Sequence, residues 1–175
     1  IFFKCFKNLY LMKLAVISSS PLIVKDKQYF AYGPYINEMI VWAKHVDEIA
    51  FLCPILKNDN GLLLAPIPFK ISKIFITKDF NIKSIGNFFN AFLHSFWNFY
   101  QIFKIMFWAD HIHLRCPGNI GLMGCIVQVF FPSKPKTAKY AGNWDPKSKQ
   151  PRSYKLQQWI LSNTVLTRNM QVLVY

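Results

Sequence analysis

The residues best suited to chemistry lie in the run from Asp110 to Asn119, DHIHLRCPGN. Two apolar residues alternate there with His111, His113 and Arg115, a spacing that predicts a buried strand with three polar side chains on one face. The proline and glycine that follow end the strand, and an apolar helical run begins after them. Two histidines and an arginine are therefore expected at the carboxyl end of a strand, beside a helix N-terminus. In open α/β sheets this edge is where ligands bind.

A ligand-binding role is favoured for His113 and Arg115. Arg115 cannot be buried cheaply without an anionic partner, and His113 shares its face. The alternative is that one histidine packs within the sheet and donates a hydrogen bond to the backbone. The role of His111 is left open. Gly118 and Asn119 at the start of the following helix add backbone N–H donors suited to an anion or a sugar hydroxyl.

The rest of the chain alternates short apolar runs with helical patterns, which predicts a Rossmann-like, doubly wound α/β fold with a mainly parallel sheet. The predicted strands are Lys13–Ser18, Val46–Cys53, Ile71–Thr77, Asp110–Arg115, Lys136–Ala141 and Asn169–Tyr175. The predicted helices are Gly33–Lys44, Ile82–Ala109, Pro117–Phe131 and Ser153–Thr164. The segments from Ser18 to Ala31 and from Leu62 to Phe69 are expected to be loop and irregular structure.

The segment Ile82–Ala109 is unusually aromatic, and amides and ions interrupt it to form a polar stripe. Such an amphipathic helix with a wide apolar face suits three environments. Burial against the sheet is the favoured interpretation. Contact with a membrane interface is the more specific alternative, and a transmembrane span is the least favoured of the three.

Composition predicts one basic domain. The 175 residues are 53% hydrophobic and carry a net charge of +13, which predicts attraction to lipid headgroups, phosphorylated ligands or nucleic acid. Seven of the cations lie between Lys134 and Lys155, with Asp145 as the one acid. This segment is either a solvated loop or a binding patch.

The four cysteines show no spacing typical of zinc sites or of a disulfide framework, which favours a reducing, cytoplasmic compartment. Residues 1–11 begin without methionine and precede Met12, which looks like a natural start. We expect 1–11 to be a poorly ordered upstream extension and 12–175 to form the domain.

Common catalytic motifs are absent from the sequence: it contains no P-loop, GxGxxG, GxSxG or HExxH. Acids are few, with Asp145 the last carboxylate, so a glycosidase carboxylate pair or a metal cluster is hard to assemble. We expect no metal and no cofactor.

Several motifs in order resemble the N-terminal half of GT-B glycosyltransferases of the family-four type, over about residues 12–175. They are Ser18-Ser19-Ser20-Pro21, Tyr32-Gly33-Pro34-Tyr35, the Glu38–Trp42 helix, His111 to Asn119, and Tyr140-Ala141-Gly142-Asn143-Trp144. In that family the N-terminal domain holds the acceptor and a C-terminal domain holds the nucleotide-sugar donor. Transfer occurs between them, usually with retention and without a metal.

The resemblance implies that His113 matches the active-site histidine and that Gly33 lies in the loop approaching the donor phosphates, although the usual second glycine is missing. Contacts to donor phosphates or acceptor are implied for Gly33, Tyr35, Arg115, Gly118, Asn119 and Asn143. The donor domain is expected elsewhere, in the same or a neighbouring chain, and the acceptor is a glycan or a lipid-linked sugar.

Two functions remain open at this point. The first is the acceptor domain of a glycosyltransferase, whose charge suits docking on an anionic membrane face at the inner side of the plasma membrane. The second is a non-catalytic basic module for a protein partner or nucleic acid, using the cations of Lys134–Lys155 with interleaved Tyr140, Trp144 and Tyr154. Nucleic acid is the less favoured partner, because the sequence has no RNA-binding signature.

Overall fold

The computed structural model describes residues 11–58, 61, 63–78, 88–145 and 147–174. Most of the expected N-terminal extension, residues 1–10, and the expected start of the long aromatic helix, residues 82–87, lie outside this part of the chain.

The main sheet has six strands, and every neighbouring pair in it is parallel. The strands are β1 (Lys13–Ile17), β4 (Glu48–Cys53), β7 (Lys73–Ile76), β8 (His111–Cys116), β9 (Lys136–Tyr140) and β10 (Met170–Val174). Their order across the sheet is β10-β9-β8-β1-β4-β7. The predicted Rossmann-like, doubly wound α/β fold is confirmed, with each predicted strand within two residues of its observed bounds.

The strand order reverses between β1 and β8. The chain moves from β1 outward through β4 to β7, then returns to β8 on the other side of β1 and continues outward to β10. In the register of this central pair, Val16 lies opposite His113 and Ile17 opposite Leu114. The loops that leave the carboxyl ends of β1 and β8 therefore diverge, which opens a crevice at this point of the sheet.

Helices cover both faces of the sheet. Helix α1 (Gly33–Ala43) packs on one face with Leu14, Val16 and Phe51. Helices α2 (Phe88–Trp108), α3 (Asn119–Val127) and α4 (Arg152–Ser162) belong to the opposite face, where the larger core lies. A 3₁₀ turn, Gln128–Phe130, extends α3.

Glycines let α3 lie close against β8. A Cβ at Gly121 would come 2.8 Å from the carbonyl oxygen of Arg115, and one at Gly124 would come 2.9 Å from Leu114 Cδ2. Both distances are shorter than a side chain tolerates, so larger residues would push the helix away from the strand. This close contact fixes the start of α3 beside the end of β8.

The structure differs from the sequence-based prediction between β1 and α1. The expected loop contains a hairpin of β2 (Leu22–Lys25) and β3 (Gln28–Tyr32), which forms a four-stranded sheet with β5 (Ile55–Leu56) and β6 (Leu64–Pro66). Asp26 and Lys27 adopt positive φ angles of 48° and 62°, as in the tight turns that suit twisted hairpins. Asp-Lys is not the usual Asn-Gly signal for such a turn, so the prediction of a loop was wrong here.

Among the described residues, no helix has the length and hydropathy needed to cross a membrane.

Candidate functional site

A cleft of about 310 Å³ lies at the point where the strand order reverses. It is bounded by the loops that follow β1, β4, β7 and β8 and by α4. Its lining residues are Ser19, Pro54, Thr77, Lys78, Pro117, Gly118, Asn119, Ile120 and Tyr154. The predicted site residues Gly118 and Asn119 are thus placed together in this cleft.

The wall between the β1 and β8 loops depends on the absence of a side chain at Gly118. A Cβ there would lie 2.5 Å from Ser19 Oγ and 3.3 Å from Ser19 Cβ. Gly118 also has a φ of 154°, which residues with a side chain rarely adopt. Both observations explain why glycine occupies this position.

Helix α3 begins at the cleft. Gly118 is its N-cap, and the Gly118 carbonyl accepts the first helical hydrogen bond, from Leu122 N–H at 2.8 Å. The amides of a first helical turn have no acceptor within the helix, and the helix dipole makes this end positive. Phosphate or hydroxyl oxygens are groups that such amides can bind.

The main chain of Lys78 is held at the cleft by a contact with α2. The side chain of Asn98 accepts a hydrogen bond from Lys78 N–H at 2.9 Å and donates one to the Lys78 carbonyl at 2.8 Å. Asn98 itself is fully buried. A buried amide in an apolar helix face needs partners, and here both belong to the Lys78 main chain, so α2 fixes the backbone of Lys78 at the cleft.

A second polar group, the Glu38 cluster, lies on the α1 face of the same two strands. It consists of Glu38 on α1, His113 and Arg115 on β8, and Lys139 on β9. Glu38 Oε2 accepts hydrogen bonds from Arg115 Nη1 at 2.5 Å and from Lys139 Nζ at 2.8 Å, while Glu38 Oε1 lies 3.4 Å from His113 Nε2. The Arg115 guanidinium also lies over the Tyr35 ring, 4.1 Å from its centroid.

The charges of the Glu38 cluster are set by burial and by these partners. Burial raises the pKa of Glu38, but the contacts with His113, Lys139 and Arg115 outweigh burial and hold it at about 2. For His113, burial lowers the pKa although Glu38 opposes the shift, so the ring is neutral near pH 7. The cluster then holds one carboxylate and two cations, a net charge of +1.

His113 is closed off from solvent. Its exposed fraction is 0%, and its ring lies 5.2 Å from that of Trp42. Among the described residues neither ring nitrogen has a hydrogen-bond partner, since the contact with Glu38 is longer than a good hydrogen bond. His111 lies beneath the same Trp42 ring, at 5.1 Å, and its Nε2 is 2.9 Å from Thr137 Oγ1.

The other residues predicted from the sequence lie outside the cleft, either in the Glu38 cluster or in loops. Tyr35 and Arg115 join His113 in the Glu38 cluster, on the other side of β8 from α3. Gly33 N–H donates to the Leu63 carbonyl at 2.9 Å, so α1 begins against the small sheet. The Asn143 carbonyl accepts from Gln150 and Gln158, and its side chain accepts from Asp145 N–H, which makes Asn143 part of its own loop.

Sequence analysis did not single out Thr77, Lys78 and Tyr154 in the cleft, or Glu38 and Lys139 as partners of Arg115. The sequence held one indication of the Lys78 contact. Asn98 interrupts an otherwise apolar helix face, and a buried amide there requires hydrogen-bond partners. Among the described residues no group of three or more His, Cys, Asp or Glu could hold a metal ion.

The comparisons with known proteins concern the fold. No protein-family model matches the chain, and no curated protein does. One similar solved structure is a UDP-N-acetylglucosamine 2-epimerase, at 9% identity and a TM-score of 0.46, covering 85% of this chain and 38% of that one. Another is the UDP-GlcNAc 2-epimerase from Methanocaldococcus jannaschii, at 14% identity and a TM-score of 0.44, covering 90% and 41%. The chain spans about two-fifths of the length of these two structures, and they assign it no reaction.

Proposed function

We propose that this chain is the acceptor-side, N-terminal part of a GT-B glycosyltransferase that acts in the cytoplasm. In this proposal a second domain binds a nucleotide-sugar donor, and the sugar moves to a glycan or a lipid-linked acceptor held by the present domain. The observation that carries the proposal is the cleft between the loops of β1 and β8.

The chemistry of the cleft favours a hydroxylated or anionic ligand. Ser19, Thr77 and Tyr154 supply hydroxyl groups and the start of α3 supplies amide donors, while Lys78 borders the cleft with its ammonium group over the Trp97 ring. The lining residues include no Asp or Glu. A sugar or a sugar phosphate can be bound by such groups, whereas a cationic ligand would find no counter-charge.

The proposal divides the reaction between two domains. Family-four transferases hold the donor through acidic and basic residues of the C-terminal domain, and the present sequence has no carboxylate after Asp145. We therefore expect the isolated chain to bind an acceptor-like sugar but to transfer none. The catalytic role predicted for His113 stays a prediction, and in this structure its direct contact is Glu38.

The test is ligand-observed NMR by saturation transfer on the full 175-residue chain, with glucose 1-phosphate, a neutral disaccharide and UDP as probes. We expect a signal from the sugar probes, and we expect Lys78→Met to weaken binding of glucose 1-phosphate at least about fivefold, because it removes a cation at the rim of the cleft. Lys70→Met, at an exposed lysine that does not line the cleft, is the matched control.

Three results contradict the proposal. If UDP alone binds and the sugars do not, the cleft is a nucleotide site; if no probe binds at millimolar concentration, the cleft is not a sugar site. Formation of a glycoside from a UDP-sugar by the isolated chain would contradict the division into two half-sites.

The alternative, a nucleic-acid module, is not favoured by the positions of its cations. Lys134 Nζ donates to carbonyls at the end of α2, Lys136 Nζ donates to the Phe131 carbonyl at 2.6 Å, and Lys139 belongs to the Glu38 cluster. Tyr140 is buried against Trp144. Three of the seven cations and one of the aromatic rings are thus committed inside the fold. A salt-dependent mobility shift with oligonucleotides would support the alternative.

A further inference from the structure

Helix α2 has two apolar faces, and only one of them packs on the sheet. Ile102, Ile105 and Met106 on the inner face are fully buried in the main core. The outer face carries large apolar side chains that are 41–73% exposed: Leu93, Phe96, Trp97, Tyr100, Phe103 and Phe107.

The spacing of these residues aligns them. Apart from the adjacent Phe96 and Trp97, successive members are three or four residues apart, so they form one stripe along the helix, opposite the buried residues. We call this the outer aromatic stripe. Solvent-exposed stripes of this size mark a surface that contacts a partner or a membrane.

The stripe continues onto the end of α3. The ring of Phe103 contacts that of Phe131 at 5.1 Å between centroids, which places the 3₁₀ turn beside α2. Within and before that turn, Phe130 is 71% exposed, and Ile126 and Val129 are more than one-third exposed.

Lysines lie directly beside the aromatic rings. Lys78 Nζ is 5.1 Å from the centroid of Trp97, Lys104 Nζ is 5.8 Å from that of Tyr100, and Lys134 Nζ is 5.9 Å from that of Phe107. The sequence of α2 contains no Asp or Glu. The first acid after it, Asp110, accepts a hydrogen bond from Lys13 N–H. The charge along the stripe is therefore positive, in a chain whose net charge is +13.

We propose that the outer aromatic stripe docks on the surface of an anionic lipid bilayer, with α2 parallel to the membrane plane. Aromatic rings enter the boundary between headgroups and acyl chains, and Lys104, which is exposed beside Tyr100, reaches the phosphates through its flexible stem. Trp and Tyr are the side chains that this boundary favours. A protein interface of comparable apolar content is usually depleted of lysine, so the charge pattern favours lipid over a protein partner.

Docking by this stripe is tested separately from the transferase proposal: Lys78 both lines the cleft and lies over Trp97, so the variants below leave Lys78 unchanged. The test is co-sedimentation of the full chain with sucrose-loaded vesicles of phosphatidylcholine containing phosphatidylglycerol at about one lipid in three, a fraction that gives a strongly negative surface. Vesicles of pure phosphatidylcholine are the comparison. We expect binding to the anionic vesicles, and a loss of that binding at high salt.

Paired substitutions distinguish binding through the outer aromatic stripe from binding through any exposed apolar side chain. Phe96→Ser with Phe107→Ser should lower the affinity for anionic vesicles by at least about tenfold, and Lys104→Gln by about fivefold. The matched control is Val41→Ser with Leu63→Ser, at residues that are 57% and 78% exposed and belong to the opposite side of the molecule. This control should bind as the unmodified chain does.

Three outcomes would overturn the proposal: no binding to anionic vesicles, equal binding to both vesicle types, or binding that the two serine substitutions on α2 leave unchanged. Sedimentation velocity without lipid gives a further check. A dimer that dissociates in the Phe96→Ser, Phe107→Ser variant would assign the stripe to a second copy of this chain.

Discussion

Gly118 and Ser19 approach each other so closely that a Cβ on Gly118 would lie 2.5 Å from Ser19 Oγ. The two residues belong to the loops that leave β8 and β1, the strands between which the order of the sheet reverses. The width of the cleft at this point is therefore set by one missing side chain.

Substitution of Gly118 by alanine should destabilise the fold by about 1–3 kcal/mol, from the clash and from a φ of 154° that alanine adopts poorly. Urea unfolding measures this loss. Ser19→Gly removes both atoms that the new Cβ would meet, so the double variant Ser19→Gly, Gly118→Ala should recover the part due to the clash. If the double variant is no more stable than Gly118→Ala alone, the contact with Ser19 is not the cause.

Glu38 should be the residue whose loss most affects the α1 face of the sheet. Glu38→Gln leaves Arg115 and Lys139 side by side without their carboxylate, and should cost about 1–3 kcal/mol in the free energy of unfolding at pH 7. Because the pKa of Glu38 is lowered from 4.5 to about 2, its contribution is complete above pH 4.5 and is lost as the pH falls toward 2.

Urea unfolding between pH 7 and pH 2 tests both the cost of Glu38→Gln at pH 7 and the loss of the Glu38 contribution in acid. The unmodified chain should lose more stability below pH 4.5 than Glu38→Gln does. Glu48→Gln, on a strand of the same sheet, is the matched control and should keep the acid-dependent loss. Parallel curves for the unmodified chain and Glu38→Gln would contradict the role of the carboxylate.

The two histidines of β8 should make the fold sensitive to mild acid. Burial, together with the neighbouring His113, lowers the pKa of His111 from 6.5 to about 4, and burial lowers that of His113. Neutral histidines contribute stability above pH 6.5, and this contribution falls as the pH drops from 6.5 toward 4, because the unfolded chain takes up protons first. His111→Gln should make the free energy of unfolding depend less on pH between 6.5 and 4. The loss of stability below pH 4.5 that is due to Glu38 should remain. An unchanged slope between pH 6.5 and 4 would show that His111 is protonated alike in the folded and unfolded chain.

The architecture was predictable because its signal is local. Parallel strands buried on both faces appear as short apolar runs such as Lys13–Ile17, and the helices between them follow from spacing. The hairpin of β2 and β3 was missed because Asp26-Lys27 is an unusual pair for a tight turn. Its two strands are also stabilised by β5 and β6, which follow much later in the chain.

The candidate site was predictable only where it is continuous in sequence. Gly118 and Asn119 follow β8 directly, so their place at the sheet edge could be inferred. Glu38 and Lys139 are 101 residues apart, and their contact requires both the β8–β9 register and the path of α1 across the sheet. A single sequence does not show such pairings, so the contact of Arg115 with Glu38 could not be inferred, and the ligand role of Arg115 stays a prediction.

Lys134 caps the C-terminal end of α2, although it belongs to a loop outside the helix. Its Nζ donates hydrogen bonds to the carbonyls of Met106 and Phe107, both at 2.8 Å, and to that of Ala109. These carbonyls belong to the final turn, where an α-helix has no N–H groups left and carries partial negative charge. Lys134→Met keeps most of the apolar stem but removes the cation, and should cost about 1–2 kcal/mol.

Thermal or urea unfolding gives the measurement, with Lys104→Met as the matched control. Lys104 lies on the exposed face of the same helix and should change stability by less than about 0.5 kcal/mol. Lys134→Arg should recover part of the loss, because a guanidinium can also donate to several carbonyls. If Lys134→Met and Lys104→Met cost the same, the stability of α2 comes from its buried face alone and the lysine contributes nothing as a cap.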